Sequence, residues 1–393
     1  MVALADERGY QDVRVEDLIQ LAGVSRGAFY AHFAGKEDLL VAVVGALVDL
    51  LDDAVAAALE RERSWEARVR AGLETFVAAV TVQPAAARLC LVDAYGAGDA
   101  AVDATERGAA GLQQLVERAL ADSPERSALP PEVARSIVGG LRRVAVTHLR
   151  ARRESELGRL VPDLIAWMLS YTAPTTPLPL PRGRGANGTG HYAPRDQAER
   201  ILLGTCTAVA AKGYAATTIA DIASQASTST RTFYAEFDDK EQAYVAALDF
   251  ARVHAYAAAL SAARRAPDWP GSVRAGIHAL CGFLAEEPAI ARASVVEIYA
   301  ASEPALRHHD AAIASLTRAL EPGYELAPTL PRLASEVIGG AIDTLLHDAI
   351  RSGGGGLVRA IAPTATFVAL APFLGADAAA EVARDAGRRR ARS

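Results

Sequence analysis

The sequence predicts an all-α protein that consists of two tandem copies of one helical unit. Its 393 residues are 51% hydrophobic and 22% charged, a composition that is typical of globular chains and excludes wholesale disorder. Aromatic residues make up only 6%, so the cores must be built mainly from Ala, Leu and Val, which favours helices over sheets. No convincing alternation of apolar and polar residues predicts a strand.

The repeat is visible as an offset of 204 residues, which places residues 9–37 on 213–241 with 11 identities in 29 positions. Tyr95 falls on Tyr299 at the same offset, so the duplication extends well beyond the first forty residues of each copy. The identities in the first copy are Gly9, Tyr10, Asp17, Ala22, Ser25, Phe29, Tyr30, Ala31, Phe33, Lys36 and Glu37.

Each copy is predicted to open with three short helices. The first ends at Gly9 or Gly213, and residues 15–22 carry an apolar stripe at positions i, i+3, i+4 and i+7. The third helix starts near Ser25 or Ser229, where a hydroxyl can cap it. A tight corner before such a cap is typical of a helix-turn-helix.

The third helix has an inner and an outer face. Phe29 and Phe33 are four residues apart and can face inward together, so Tyr30 and His32 point towards solvent or a ligand. Small and polar residues at its start suit insertion into a DNA major groove. The candidate DNA-contacting residues are Ser25, Arg26, Gly27, Ala28, Tyr30, His32 and Lys36 in the first copy and Thr218, Ser229, Thr230, Arg231, Thr232, Tyr234 and Lys240 in the second.

Residues 22–40 and 219–244 resemble the TetR-type transcriptional regulators, because both contain the pattern F-Y-x-x-F-x-x-K-E. The resemblance implies that each copy is a DNA-reading domain followed by a larger helical domain. That larger domain would bind a small effector and supply a helical dimer interface. The implied function is a sequence-specific repressor with two fused copies that binds a double-stranded operator.

The resemblance also assigns roles to single residues. It implies that Ala28 and Thr232 touch DNA and that Tyr30 and Tyr234 clamp phosphates. It further implies that the lysine at the start of each fourth helix, Lys36 or Lys240, meets a phosphate.

The predicted domain bounds follow the repeat. Residues 173–194 are rich in Pro and Gly, which prevent helix continuation and offer nothing to pack, so they predict a linker. Within the linker, 183–188 fits a dinucleotide-binding pattern, but no strand precedes it and no phosphate site is predicted. The helix-turn-helix domains are 1–40 and 195–244, the larger helical domains are 41–172 and 245–376, and a basic tail covers 377–393.

Helices are predicted throughout the two larger domains. In the first copy they cover 38–61, 65–82, 85–97, 106–121, 131–154 and 158–171. In the second they cover 242–264, 270–286, 289–301, 304–320, 331–351 and 357–373. The candidate ligand-binding residues are polar side chains on otherwise apolar helices, namely Cys90, Tyr95, His148, Cys281, Tyr299 and His347. For each, a satisfied buried residue is the competing interpretation.

The two copies differ where they would read DNA. Met1 aligns with Thr205, so the first helix lacks about nine residues of its counterpart. Either the true start of the chain lies upstream of Met1, or DNA binding by the first helix-turn-helix domain is weakened. Residues 24–40 carry no net charge, whereas 228–244 carry −2. Because acids beside phosphates oppose binding, we expect the two readers to be unequal.

Composition limits the other functions. The net charge of −6 provides no global basic field, so DNA must meet a local surface. The three cysteines are far apart in the sequence, so we expect no disulfide and a cytoplasmic protein. No apolar run is long enough to predict a membrane span. The sequence contains no recognisable nucleophile–base set and no paired metal ligands, so we expect neither catalysis nor a bound metal or cofactor.

Two alternatives remain open from the sequence. One concerns assembly, because the two heads of one chain could form an intramolecular pseudo-dimer or belong to a homodimer with four heads. The other is a helical ligand-binding or interaction protein that has lost DNA reading. The low aromatic content favours small apolar pocket linings and a hydrophobic effector.

Overall fold

The computed structural model describes residues 1–179, 190 and 192–384. The chain divides into unit 1, Met1–Leu169, and unit 2, which begins at Ser170. Throughout the described residues the secondary structure is helical and contains no strand. The all-α prediction is confirmed.

Unit 1 begins with three short helices and continues with longer ones. Its α-helices are α1 Val2–Arg8, α2 Val15–Ala22, α3 Arg26–His32, α4 Lys36–Glu60, α5 Trp65–Val82, α6 Pro84–Leu91, α7 Asp99–Leu120, α8 Pro131–Arg150 and α9 Leu157–Leu169. The predicted helix over 85–97 is wrong at its end, because α6 stops at Leu91 and a 3₁₀ helix covers Asp93–Ala97.

The described part of unit 2 begins in the same order and has two more α-helices than unit 1. Its α-helices are α10 Gln197–Lys212, α11 Ile219–Gln225, α12 Thr230–Glu236, α13 Lys240–Ala263, α14 Trp269–Glu286, α15 Pro288–Ala291, α16 Glu303–Arg318, α17 Leu333–Gly353, α18 Gly355–Ala360, α19 Ala362–Leu374 and α20 Ala376–Arg384. The predicted continuous helix over 289–301 is wrong, because α15 passes into a π-helical turn, Arg292–Val296, and a 3₁₀ turn, Glu297–Ala300.

Two predicted boundaries also need correction. Leu178 and Tyr171 are buried in unit 2, and the Tyr171 hydroxyl donates to the Val368 carbonyl at 2.8 Å. The chain therefore joins unit 2 from residue 170, before the predicted linker begins. The predicted tail is wrong at its start, because its first residues lie in α20, whose buried alanines pack against α19. The remainder of the tail, 385–393, and the pattern at 183–188 lie outside the described residues.

Local sequence signals explain the three opening helices. Ser25 and Ser229 cap α3 and α12, as predicted, by accepting hydrogen bonds from backbone N–H groups. The corner before each cap has a left-handed backbone, with φ of 65° at Gly23 and 50° at Ser227. Glycine adopts this conformation without steric cost, whereas serine does not. The first helix has seven residues in unit 1 and 16 in unit 2.

Small apolar cores hold these opening helices together. In unit 1, Leu4, Val13, Leu18 and Phe29 form one buried cluster. Its counterpart in unit 2 contains Ile201, Ile222 and Phe233 among others. Phe33 and Phe237 pack at the edges of these clusters and are only partly buried, so the sequence prediction that both phenylalanines are core residues holds fully for the first of each pair.

One apolar segment, Gly355–Leu374, is long enough to cross a membrane by length and composition, and 72% of it is buried inside the fold. Buried core helices of soluble proteins pass the same test. Its side chains contribute to the interior of unit 2.

Candidate functional site

The third helix of each unit presents an outward face beside a buried one. In α3 the Phe29 ring is buried, while the next side chain, Tyr30, is 45% exposed. In α12 Phe233 is buried and Tyr234 is 58% exposed. Each tyrosine stands edge-on to its phenylalanine, with ring centroids 5.2 Å apart in α3 and 5.6 Å in α12. The buried ring thus holds an exposed phenol at a fixed place on the helix.

The structure brings most of the predicted DNA-contacting residues to these outward faces. Thr232 is half-buried, and its hydroxyl lies 2.9 Å from that of Ser229. Thr218 caps α11 and donates to Asp221 at 2.8 Å. The exposed members are Ser25, Arg26, Gly27, Ala28, Tyr30 and His32 in unit 1 and Thr218, Ser229, Thr230, Arg231 and Tyr234 in unit 2.

The two lysines are half-buried, and their ammonium groups contact backbone carbonyls of the preceding loop. Lys36 Nζ donates to the carbonyls of Gln11 at 3.0 Å, Val13 at 3.1 Å and Tyr10 at 3.4 Å. An ammonium has three donors, so this lysine uses all of them to hold the loop between α1 and α2. Lys240 donates to Tyr214 O at 2.9 Å in the same way.

The aromatic ring in that loop completes the arrangement. Lys36 Nζ lies 4.7 Å from the centre of the Tyr10 ring, and Lys240 Nζ lies 4.5 Å from that of Tyr214. Burial without a carboxylate partner lowers the pKa of Lys240. Both lysines therefore join the loop to the fourth helix, and their contact with a phosphate stays a prediction.

The start of the fourth helix differs between the two units. In unit 1 the N-cap is Gly35, so the first-turn N–H groups of α4 have no side-chain cap, although Glu37 and Asp38 lie in the same turn. The Asp38 carboxylate accepts from Ala34 N at 3.0 Å, outside the helix. In unit 2 the N-cap is Asp239, whose carboxylate accepts from Gln242 N at 2.8 Å. The position that an anion could occupy in unit 1 is thus filled by a carboxylate in unit 2.

A group of ion pairs that the sequence did not reveal joins α1 to the larger helices of unit 1. Asp6 accepts from Arg88 at 2.7 Å and from Arg152 at 2.8 Å. Hydrogen bonds from Arg88, opposed by partial burial, hold the pKa of Asp6 below its ordinary value. Gln11 adds a hydrogen bond to the Gly96 carbonyl at 2.7 Å. These contacts connect the helix-turn-helix to the region that surrounds a cavity.

Unit 1 contains a largely apolar cavity of about 250 Å³ between α4, α5, α6, α7 and α8. Of the three ligand candidates in this unit, Cys90 lines the cavity, and burial raises the pKa of its thiol to about 12. His148 is buried and its Nδ1 lies 2.9 Å from the Val144 carbonyl one turn earlier. For His148 the competing interpretation, a satisfied buried residue, fits the contacts.

Tyr95 belongs to a charged cluster beside the cavity. Its hydroxyl donates to Glu106 at 3.0 Å and accepts from Arg142, which itself lines the cavity. Glu106 also pairs with Arg135. Burial, partly offset by Arg142, raises the pKa of Tyr95 to about 12. Tyr95 therefore stands one residue behind the cavity wall.

Unit 2 has a cavity of about 130 Å³ with a different polar group. Tyr299 donates to Asp343, and His309 Nε2 lies 3.1 Å from the same hydroxyl. Burial alone would raise the pKa of Asp343, but His309 and the hydrogen bond from Tyr299 keep it below its ordinary value. His309 and Asp343 line the cavity, whereas the predicted residues Cys281, Tyr299 and His347 are not among its lining residues. His347 packs edge-on against Tyr299, with ring centroids 5.9 Å apart.

Two helix-turn-helix units, each with an exposed third helix, define a protein of the DNA-binding regulator class by fold. The family model "Bacterial regulatory proteins, tetR family" matches residues 2–43 and 201–247. Each unit therefore begins with the N-terminal region that this model of tetR-family regulators describes.

Similar proteins agree with this assignment. The chain is 34% identical over 98 residues to the HTH-type transcriptional regulator EthR of Mycobacterium tuberculosis, which is 23% of this chain and 45% of that relative. It is 40% identical over 67 residues to the regulator SrpR of Pseudomonas putida, covering 17% of this chain and 32% of that relative. The chain thus spans less than half the length of either relative.

Among solved structures, the fatty acid degradation regulator FadR from Bacillus halodurans is similar at 19% identity with a TM-score of 0.40. The similarity covers 45% of this chain and 98% of that one.

Proposed function

We propose that this chain is a cytoplasmic transcriptional regulator of the repressor type, whose two helix-turn-helix units bind a duplex DNA operator and whose larger helices bind a small effector. The observation that carries the proposal is the repeated outward face of α3 and α12. Both helices combine a hydroxyl cap, a buried phenylalanine and an exposed tyrosine at matching positions. A major groove admits such a helix, and the tyrosine can donate to a phosphate at its edge.

The two heads are proposed to be unequal. The Gly35 N-cap leaves the start of α4 open, so this helix can receive a phosphate oxygen on its first-turn N–H groups. The Asp239 carboxylate occupies the same place in unit 2 and repels phosphate. The helix-turn-helix of unit 1 is accordingly proposed to bind phosphate more strongly than that of unit 2.

The two heads of one chain are proposed to form an intramolecular pseudo-dimer that reads two unlike half-sites. The competing assembly is a homodimer that carries four heads. Mass measurement by light scattering at decreasing concentration separates them: a single-chain mass supports the pseudo-dimer, and twice that mass persisting on dilution contradicts it.

Effector binding is proposed to change operator affinity through the ion pairs of Asp6 with Arg88 and Arg152. The Asp6–Arg88 pair connects α1 to α6, which contributes to the wall of the 250 Å³ cavity, and the Asp6–Arg152 pair connects α1 to the turn after α8. A ligand that shifts α6 would therefore change the placement of the first head. Coupling of this kind is typically worth about 1–3 kcal/mol.

The proposal is tested by measuring DNA affinity of a variant that lacks both exposed phenols. Tyr30→Ala combined with Tyr234→Ala should weaken duplex binding and leave its salt dependence nearly unchanged, because two neutral hydrogen bonds to phosphates are lost while the salt slope depends on cationic contacts. The control is Tyr256→Ala, since Tyr256 is similarly exposed, at 48%, but lies on α13. Equal affinity of the double variant and the control would contradict the proposal.

The second candidate function is a ligand-binding protein without DNA reading. The carboxylate at the start of α13 and the net charge of −2 over 228–244 favour it for unit 2. It predicts duplex affinity that neither prefers a sequence nor falls steeply with salt.

A further inference from the structure

We infer that the cavity of unit 1 takes an apolar molecule that carries a protonated amine, and that Asp52 on α4 is the group that binds the amine. This inference rests on the proposed effector role of the larger helices and names the class of ligand. The supporting observations are the cavity lining, the hydrogen-bonding state of its polar groups and the charges at its edge.

The cavity lining selects an apolar body. Its volume is about 250 Å³, and its wall consists mainly of aliphatic side chains from α4 to α7, with one aromatic ring from Phe76. The hydroxyl of Thr105 is used within the wall, because it donates to the Cys90 carbonyl at 3.0 Å. A ligand that fills this space must therefore bury mostly hydrocarbon.

Asp52 brings an unsatisfied acceptor into this apolar wall. Its Oδ1 atom is buried and has no hydrogen-bond partner among the described residues. The carboxylate packs against the backbone of α7 at Gly111, where a Cβ atom would lie only 2.0 Å from Oδ2. Leaving a buried carboxylate oxygen without a donor costs free energy, so a donor supplied by a ligand would be bound favourably.

The cation that lines the cavity, Arg142, already has an ion-pair partner. Arg142 donates to Glu106 at 3.3 Å and to the Tyr95 hydroxyl. A ligand carboxylate would have to compete with Glu106 for this guanidinium. Arg142 Nε, like Asp52 Oδ1, has no hydrogen-bond partner among the described residues, but the guanidinium charge is paired with Glu106, whereas the Asp52 carboxylate forms no ion pair there. This difference in charge pairing selects a cationic ligand over an anionic one.

The charges around Asp52 favour the same sign. Asp49 and Asp53 flank it on α4 and are exposed, and Arg118 on α7 is the nearby cation. The local sum is negative, so it attracts a cation towards the cavity. Burial, reinforced by Asp49 and Asp53, also raises the pKa of Asp52 to about 6. Asp52 is therefore ionised at neutral pH, when an aliphatic amine is protonated.

The test compares three ligands with the same chain length and different head groups: n-octylamine, n-octanol and n-octanoate. Isothermal titration calorimetry on the full chain at pH 7.5 should show octylamine binding at least about tenfold more tightly than either of the others, as expected for a charged hydrogen bond. Asp52→Asn should reduce this preference to about threefold or less. Glu60→Gln, the same change at an exposed position of α4, should leave it intact.

Three results would overturn the inference. They are octanol or octanoate binding as tightly as octylamine, an octylamine preference that survives Asp52→Asn, and no binding of octylamine at millimolar concentration. A second readout comes from the wild-type chain, whose octylamine preference should fall as the pH is lowered through about 6, since Asp52 becomes protonated there.

The calorimetry contains no DNA, so its failure and the failure of the proposed regulator function are distinguishable. An absent amine preference in a chain that selects a DNA sequence removes only this inference. A clear amine preference in a chain that ignores DNA supports the inference and removes the regulator.

Discussion

Exchanging the N-caps of the two fourth helices should reverse the inequality of the DNA-binding heads. The changes are Asp239→Gly in unit 2 and Gly35→Asp in unit 1. Both positions have extended backbone, with φ of −155° and −177°, so neither exchange strains the chain. Replacing an aspartate N-cap by glycine costs only a few tenths of a kcal/mol of stability, which leaves the fold intact.

The magnitude follows from the place of the carboxylate. Asp239 Oδ1 lies 2.8 Å from Gln242 N, where a phosphate oxygen would otherwise bind. A phosphate that approaches this helix start must therefore stay outside the carboxylate. Repulsion between unit charges about 6 Å apart is about 0.7 kcal/mol in bulk water and about 3 kcal/mol near a protein surface. Because both groups are exposed, we expect about 1 kcal/mol, or about a fivefold change in affinity.

The assay is fluorescence anisotropy with a labelled duplex in about 50 mM and about 200 mM salt. Asp239→Gly should bind about fivefold more tightly than the wild-type chain, and Gly35→Asp about fivefold more weakly. Both effects should shrink at the higher salt, because salt screens exposed charges. Glu241→Gln removes a charge from the same turn without opening the N-cap, so it should give a smaller gain.

The account would be refuted if Asp239→Gly left affinity unchanged or if Glu241→Gln produced the same gain. The first result would show that the start of α13 never approaches a phosphate. The second would show that only the overall charge of the head matters.

Three further predictions concern single side chains. Lys36→Met should lower the free energy of unfolding by about 2 kcal/mol in urea denaturation, because three carbonyls lose an ionic donor; a reduced salt slope of DNA binding at unchanged stability would instead make it a phosphate ligand. Asp52→Asn should raise the free energy of unfolding by about 1 kcal/mol at pH 7.5, a figure reduced for partial solvent screening. Since the folded-state pKa of Asp52 is raised to about 6 from 3.8, the wild-type penalty grows as the pH rises from about 4 to 6, and the gain should vanish near pH 3; a gain independent of pH would contradict this origin. Tyr30→Ala should weaken duplex binding more than Tyr234→Ala in the anisotropy assay, because the neighbouring acid already weakens the second head; equal losses would show that the heads are equivalent.

The parts of the fold that could be predicted from the sequence are those that local chemistry determines. The caps at Ser25 and Ser229 and the end of α1 at Gly9 depend on residues within one turn of each other. The exposure of Tyr30 followed from its position next to a phenylalanine that had to be buried. Because these local signals recur at a constant offset of 204 residues, each of them was supported by two independent segments of the sequence.

The parts that could not be predicted depend on contacts between distant residues. Lys36 was expected to meet a phosphate, but its acceptors lie 23–26 residues earlier in the chain. Asp52 could not be singled out from the sequence, because the burial of its carboxylate depends on the close approach of α7 at Gly111. Tyr95 was predicted to bind a ligand, but it does not line the cavity; Arg142 and Glu106, which complete its cluster, are charged residues that helical surfaces also carry.

The interrupted helix in unit 2 shows the same limit. The apolar pattern over 289–301 is compatible with one helix, yet the backbone passes through π and 3₁₀ turns. These turns bring Tyr299 to the hydroxyl contacts with His309 and Asp343. The interruption accompanies contacts with residues of later helices, and the apolar periodicity of the segment itself does not indicate it.

Selection from a pool of random duplex DNA, followed by sequencing of what the purified chain retains, tests the central claim most directly. We predict enrichment of a site with two unlike half-sites, one for each helix-turn-helix unit. Tyr30→Ala should abolish enrichment of one half-site and Tyr234→Ala that of the other. A pool that shows no enriched sequence with the wild-type chain would contradict the claim that it reads DNA.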